Sequence, residues 1–217
     1  MRFEDYHRTV IGYHGTKRSI AEQIVLGNQP FGWSGNDDDW LGHGVYFWEH
    51  APQQAWWWAK RRSVQQKWGE EPAVLGAMIR LGACFDLLDP FNLQQLERFH
   101  QEYVKARAAA NLPIRENANN HKYLDCETFK FSYAAFENEG VKVDSCRAVF
   151  VPTGKRAWTR SGIYRQAHIQ ICVRNLKRIL GTWLVSPVEE DHAEAPQQPA
   201  NVTSNQEDGE ESGSDDA

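Results

Sequence analysis

The sequence predicts an α+β fold, in which a mixed sheet of short strands is flanked by helices. Two runs rich in β-branched, aromatic and small apolar residues, 45–48 and 73–82, are typical of strands. Residues 92–110 instead repeat apolar side chains at helical spacing. The 217 residues, 41% of them hydrophobic and without an internal repeat, suffice for one core. We therefore expect one domain over residues 1–188 and a tail over residues 189–217.

The other elements are predicted from the same two spacings and from the Gly and Pro residues near their ends. In chain order they are a strand that ends in His14-Gly15-Thr16, a helix over 19–26, an Asp- and Gly-rich loop over 28–41, a helix over 49–62, a helix or amphipathic strand over 129–138, and strands over 148–151 and 164–173. In the last strand, alternation places His168, Gln170 and Cys172 on one face and apolar β-branched residues on the other.

Charge is distributed unevenly along the chain. Ten of the 29 acidic residues lie from Glu189 to Ala217, a segment without Lys or Arg, so residues 1–188 carry a net charge of about +5 although the whole chain carries −5. The segment is poor in large apolar side chains, and we expect it to be disordered. It is either a solubilising tail or an acidic mimic that covers a basic surface.

Composition also argues against several classes of protein. The four cysteines are far apart and form no CxxC pair, which predicts reduced, buried thiols and no zinc site. No apolar run reaches the ~18 residues that a membrane span requires, and no signal-peptide pattern is seen. We expect a cytoplasmic protein that uses no metal.

Two short motifs stand at the ends of predicted strands. His14-Gly15-Thr16 follows an apolar run, and Gly42-His43-Gly44 precedes Val45-Tyr46-Phe47. Glycine lets another molecule approach the backbone closely. A histidine and a tyrosine at the ends of neighbouring strands can hold a flat, polar ligand. Together the motifs resemble those of the ADP-ribosyltransferase fold, in particular the branch of diphtheria toxin and the poly(ADP-ribose) polymerases.

The resemblance covers residues 9–88 and, less closely, residues 165–174. It implies a split mixed sheet and an enzyme that transfers ADP-ribose from NAD, its substrate. By this resemblance, His14 binds a ribose hydroxyl, the Gly15 backbone pairs with the nicotinamide amide, and Tyr46 and Trp57 sandwich the nicotinamide ring. The implied NAD-binding set is His14, Gly15, Thr16, Tyr46, Gln54, Trp57 and His168.

The third motif of the family departs from the usual pattern. The family often has a glutamate on a late strand, whereas the best alignment places Gln170 there, with His168 as its neighbour. The implied catalytic set is thus His14, Tyr46 and Gln170. Within the family, loss of the glutamate is associated with mono-ADP-ribosylation or inactivity rather than with chain elongation. Gln54 likewise stands where the family usually has a serine.

Three functions remain open at this point. The first is a mono-ADP-ribosyltransferase that modifies a macromolecule. The second is a non-catalytic module of the same fold that binds a nucleotide, a nucleic acid or a protein. The third, a weaker alternative, is an RNA 2′-phosphotransferase, which has a related fold.

The acceptor and other partners are indicated only by charge and by family analogy. A positive body with basic residues near the expected cleft favours nucleic acid slightly over protein as the acceptor. These residues are Lys17, Arg18, Lys60, Arg61, Arg62 and Lys67. A stand-alone transferase also resembles an intracellular toxin or defence effector, which implies a neutralising protein partner and no membrane.

Overall fold

Six strands and four helices make up the fold, as given by a computed structural model that describes residues 5–118, 121–152 and 154–185, with side chains from residue 8 onward. In chain order they are β1 (Asp5–Lys17), α1 (Arg18–Val25), β2 (Val45–Glu49), α2 (Pro52–Gln65), β3 (Pro72–Asp86), α3 (Pro90–Ala109), α4 (Tyr123–Asn138), β4 (Ser145–Phe150), β5 (His168–Val173), a short 3-10 helix (Leu176–Arg178) and β6 (Ile179–Leu184). The predicted α+β class is confirmed. The expected acidic tail over 189–217 lies outside the described residues.

The mixed sheet consists of two three-stranded halves. In one half β3 lies between β1 and β6, and in the other β5 lies between β2 and β4, with antiparallel pairing throughout each half. Two short contacts join the halves: β1 pairs with β2 at Gly12 and Tyr13, and the end of β3 pairs in parallel with β4. Because the pairing of β1 with β2 stops at Tyr13, the tip of β1 separates from β2.

The main core lies between the two halves. Val10 and Leu75 from one half meet Phe47 and Ile171 from the other. A second core lies on the outer face of the β2–β5–β4 half, where aromatic side chains of α3 and α4 cover Cys172. The alternation predicted for the last strand is therefore confirmed. Ile171 faces the first core and its neighbour Cys172 faces the second, because successive side chains of a strand point to opposite faces.

Helix α2 packs on β1 and β3 at very short range. Ala55 and Ala59, both fully buried, face Gly15, where an added Cβ would lie 2.3 Å from the Ala55 carbonyl oxygen. Only a glycine at this position permits such an approach. Trp56 and Trp58 pack beside this contact, so the same helix carries its tryptophans to the tip of β1.

Several predicted boundaries were wrong. Helix α2 begins at Pro52, not at residue 49, because Glu49 belongs to β2 and its carboxylate binds Arg147. Residues 129–138 are the second half of a longer helix, and the strand predicted from residue 164 begins at His168. β6 was not predicted. Its sequence lacks the continuous apolar run that identifies a buried strand, because its side chains are only partly covered in the fold.

Two expectations about composition can be compared with the described residues. The four cysteines are buried free thiols. Within the described ranges, no helix is both long enough and apolar enough to cross a membrane.

Candidate functional site

A cleft of about 600 Å³ opens where β1 and β2 separate. Five of the predicted site residues line it: His14, Gly15, Thr16, Tyr46 and Gln170. They come from the tip of β1, from β2 and from β5, which are neighbours in the sheet. The remaining three predicted residues line a second, adjoining cleft.

The imidazole of His14 bridges the gap between the two strands. Its Nδ1 lies 2.8 Å from the carbonyl oxygen of Tyr46. A carbonyl only accepts hydrogen bonds, so Nδ1 carries the proton and the neutral ring keeps Nε2 as an acceptor. Burial lowers the pKa of His14, and the hydrogen bond to Tyr46 raises it by a smaller amount. The net lowering favours the neutral form of the ring. The ring is flanked by Phe31 and Phe47, with centroids 5.4 and 5.6 Å away.

The phenol of Tyr46 anchors the turn that precedes its own strand. Its hydroxyl donates to the carbonyl oxygen of Gly42 at 2.7 Å and accepts from the Leu41 amide at 3.0 Å. Gly42 has a φ of 76°, a conformation that favours glycine. Burial raises the pKa of Tyr46 well above its ordinary value. Since the hydroxyl is occupied, the face of the ring is what Tyr46 presents to a ligand.

Gln170 belongs to a hydrogen-bonded chain of four side chains. Nδ1 of His168 donates to the Gln166 carbonyl at 2.7 Å, so Nε2 of that ring is an acceptor. The single lone pair of this Nε2 is shared by the Trp48 indole N–H and the Gln170 amide N–H, each at 3.1 Å. The Gln170 carbonyl oxygen accepts from the Trp40 indole at 2.7 Å. The amide orientation is therefore fixed, and one N–H and one oxygen lone pair remain for a ligand.

Burial lowers the pKa of His168, and the hydrogen bond to Gln166 raises it by a smaller amount. The neutral ring is the form that the chain of hydrogen bonds requires, because a protonated Nε2 could not accept from two donors.

Residues 28–44 form the opposite wall of the first cleft. Asp39 accepts hydrogen bonds from the Ser34 hydroxyl and from the Asn36 backbone amide, both at 2.9 Å. Burial raises the pKa of Asp39, although these bonds act in the opposite direction. Asp38, which also lines the cleft, binds His121 at 2.6 Å. These carboxylates hold the loop in place and add negative charge near the rim of the first cleft.

The second cleft, of about 420 Å³, contains the other three predicted residues, Gln54, Trp57 and His168. Its lining overlaps with that of the first cleft at Trp48, Trp58, Arg61, Phe150 and Gln170.

The expected pairing of Tyr46 with Trp57 in one cleft is therefore not what the structure shows. The indole from α2 that shares the first cleft with Tyr46 is that of Trp58. Consecutive helical residues point about 100° apart. The spacing of eleven residues from Tyr46 to Trp57 does not determine how the helix is rotated, so it does not determine which tryptophan faces Tyr46. The spacing of Gln54, Trp58 and Arg61, at four and three residues, is the signal that identifies the lining face.

Two arginines bring positive charge into the first cleft. Arg61 lines both clefts, and the Arg62 guanidinium lies 5.3 Å from the ring centre of Trp58. Burial and the charge of Arg62 lower the pKa of Arg61. No ion pair joins either arginine to a carboxylate within the described ranges. Guanidinium groups so placed favour the binding of a phosphate.

Comparison with models of protein families, with curated proteins and with solved structures gives no significant match. In the part of the chain that the structure describes, no group of three or more His, Cys, Asp or Glu side chains is placed to hold a metal ion. The function must therefore be inferred from the chemistry of the two clefts.

Proposed function

We propose that the protein is a mono-ADP-ribosyltransferase that transfers ADP-ribose from NAD to a nucleic acid or a protein. The observation that carries this proposal is the meeting of His14, Tyr46 and Gln170, from three separate strands, in one cleft. The volume of about 600 Å³ lies within the range of roughly 300–1,000 Å³ that small-molecule sites occupy.

The parts of NAD have matching partners in this cleft. Nε2 of His14 accepts a hydrogen bond from a ribose hydroxyl. The ring of Tyr46 and the indole of Trp58 bracket the flat nicotinamide. Arg62 neutralises the pyrophosphate, which would otherwise face the carboxylates on the loop. Trp58 thus takes the role that the sequence assigned to Trp57.

The reaction requires positioning more than acid catalysis. The bond between nicotinamide and C1′ of its ribose breaks as positive charge develops on the sugar, and nicotinamide leaves as a neutral group. Gln170, held by Trp40 and His168, fixes a ribose hydroxyl and directs its remaining dipole at the sugar. An amide cannot deprotonate a hydroxyl of attached ADP-ribose, so transfer ends after one unit.

The experiment uses NAD labelled in the adenylate part, incubated with the full chain and cell extract. We expect a labelled macromolecule and released nicotinamide, and digestion with nuclease or protease identifies the acceptor class. His14→Asn should abolish transfer. His50→Asn, at an exposed histidine with a φ of 50° that Asn tolerates, should not. The proposal fails if calorimetry detects no binding of NAD to the folded chain.

A second candidate is a non-catalytic module that binds NAD or another nucleotide. It is favoured by the amide in place of a carboxylate at position 170 and by the engagement of that amide with Trp40 and His168. The two candidates differ in one measurement, because a binding module would bind NAD without releasing nicotinamide in the presence of any acceptor.

A further inference from the structure

The second cleft is walled by flat rings and rimmed by cations. Trp48, Trp57, Trp58 and Phe150 contribute four aromatic side chains to its lining. Trp57 and Trp58 are only partly buried, so their rings are accessible to a ligand. Lys60 and Arg61 supply positive charge, and none of the described residues that line the cleft is an Asp or Glu. A flat, uncharged group attached to a phosphate is the chemistry that matches such walls.

The position of this cleft relates it to the first one. Trp48, Trp58, Arg61, Phe150 and Gln170 line both clefts. Gln170, which would hold the reacting ribose, therefore forms part of the second lining as well. A group bound in the second cleft would lie next to a sugar held by Gln170 in the first, which is where an acceptor must be.

The lining discriminates between classes of acceptor. A lysine or arginine side chain of a protein would need a carboxylate to stabilise its charge, and the part of the chain that the structure describes places none in this cleft. A nucleobase can stack on an indole whatever its sequence context, and the adjacent phosphate can bind a guanidinium. The amide of Gln54 offers a donor and an acceptor for the edge of a base.

We propose that the second cleft binds an unpaired base of single-stranded nucleic acid, stacked on Trp57 with its flanking phosphate on Arg61, as the acceptor of ADP-ribose. This proposal rests on the transferase function proposed above. In the reaction, the C1′–nicotinamide bond of the nicotinamide dinucleotide breaks and its electron pair leaves with nicotinamide. A lone pair on a nitrogen or oxygen of the nucleic acid forms the new bond to C1′, and the proton of that atom passes to water.

The test measures binding of a short, fluorescently labelled, single-stranded oligonucleotide to the full chain by anisotropy, at low ionic strength and without NAD. The parent chain should bind it more tightly than the matching duplex, whose bases are already stacked. Trp57→Ala should weaken binding by about tenfold or more, in line with the loss of one stacking ring, and Trp57→Phe should restore most of the affinity. Arg61→Gln should weaken binding and reduce its dependence on salt.

Trp56→Ala is the matched control, because Trp56 is the same residue type on the same helix but lines a different cleft. It should leave the affinity unchanged, and thermal melting verifies that each variant is folded. Equal losses in the Trp56 and Trp57 variants, equal binding of the duplex, or no binding of the oligonucleotide would overturn the proposal. Transfer of the label to protein alone would also overturn it. NAD is absent from the oligonucleotide-binding test. A chain that does not bind the oligonucleotide therefore contradicts this proposal alone, whereas a chain that does not bind or cleave NAD contradicts the transferase function.

Discussion

At the scale of single residues, one hydrogen bond links the two strands that border the first cleft. The sheet pairing of β1 with β2 ends at Tyr13, and the next residue, His14, reaches across to the carbonyl oxygen of Tyr46. The side chain thus replaces a backbone bond at the point where the strands part. This role requires a proton on Nδ1, so the neutral ring supports both the structure and the proposed contact with ribose.

The first prediction concerns the effect of pH on stability. The pKa of folded His14 lies below its ordinary value of 6.5 because the ring is buried. Its contribution to the free energy of unfolding is therefore present above that value and is lost as the pH falls through the folded-state pKa. Urea denaturation between about pH 7.5 and pH 5.5 should show a decrease in stability that is smaller in His14→Asn. An unchanged slope in this variant, or an equal change in His50→Asn, would contradict the assignment.

The second prediction concerns Gln170. Gln170→Ala removes both polar atoms that the amide offers to ribose, whereas His168→Ala leaves the Trp40 bond that still orients the amide. Transfer of label from NAD should therefore fall sharply in Gln170→Ala and less in His168→Ala. The product of the parent chain should carry single ADP-ribose units when sized by gel electrophoresis. Polymer in the product would mean that a carboxylate from elsewhere enters the site.

At the scale of elements, helix α2 brings the two clefts together. Its small residues Ala55 and Ala59 seat it against Gly15, and its outward face carries the indoles and guanidiniums that line both clefts. The distance between α2 and the tip of β1 is thus set by the absence of a side chain at position 15. Any group added there must move the helix and alter both clefts at once.

The third prediction tests this seat. Gly15→Ala would place its Cβ 2.3 Å from the Ala55 carbonyl oxygen, and overpacking of this kind typically lowers the free energy of unfolding by about 1–3 kcal/mol. Gly162→Ala is the control, because an added Cβ there meets no atom of the described residues within 4 Å. Urea denaturation of both variants provides the measurement. Equal stability of the two variants would show that α2 shifts at no cost.

At the scale of the whole molecule, charge separates the body from the C-terminal segment. Residues 1–188 carry about +5, and the ten acidic residues from Glu189 onward reverse the sign for the chain as a whole. A polyanion therefore approaches a body that attracts it and a segment that repels it. The repulsion between exposed charges extends over about 8–10 Å at moderate salt.

The fourth prediction follows from this charge balance. A chain truncated after Pro187 should bind a single-stranded oligonucleotide more tightly than the full chain, and the difference should shrink as salt is added. Titrations at several salt concentrations measure both effects. A truncated chain with unchanged affinity at low salt would show that the acidic segment does not influence polyanion binding.

Much of the candidate site could be predicted from the sequence because its motifs are local. His14-Gly15-Thr16 and Gly42-His43-Gly44 lie beside apolar runs whose spacing predicts strands, and the alternation of the last strand assigns Gln170 to the face opposite Ile171. Family resemblance supplied the proposed chemistry of these positions, which stays a prediction. The α+β class followed from the same periodicities.

The sequence by itself determined the fold class, the approximate position of most strands and helices, and which of their faces are apolar, since these depend on spacings of two and of 3.6 residues. Only the tertiary structure decided that Trp58 rather than Trp57 shares a cleft with Tyr46. Only the structure joined Trp40 and Trp48 to the Gln170–His168 pair across more than one hundred residues. The rotation of a packed helix and the partners of a buried amide depend on packing between distant segments, and local periodicity carries no information about either.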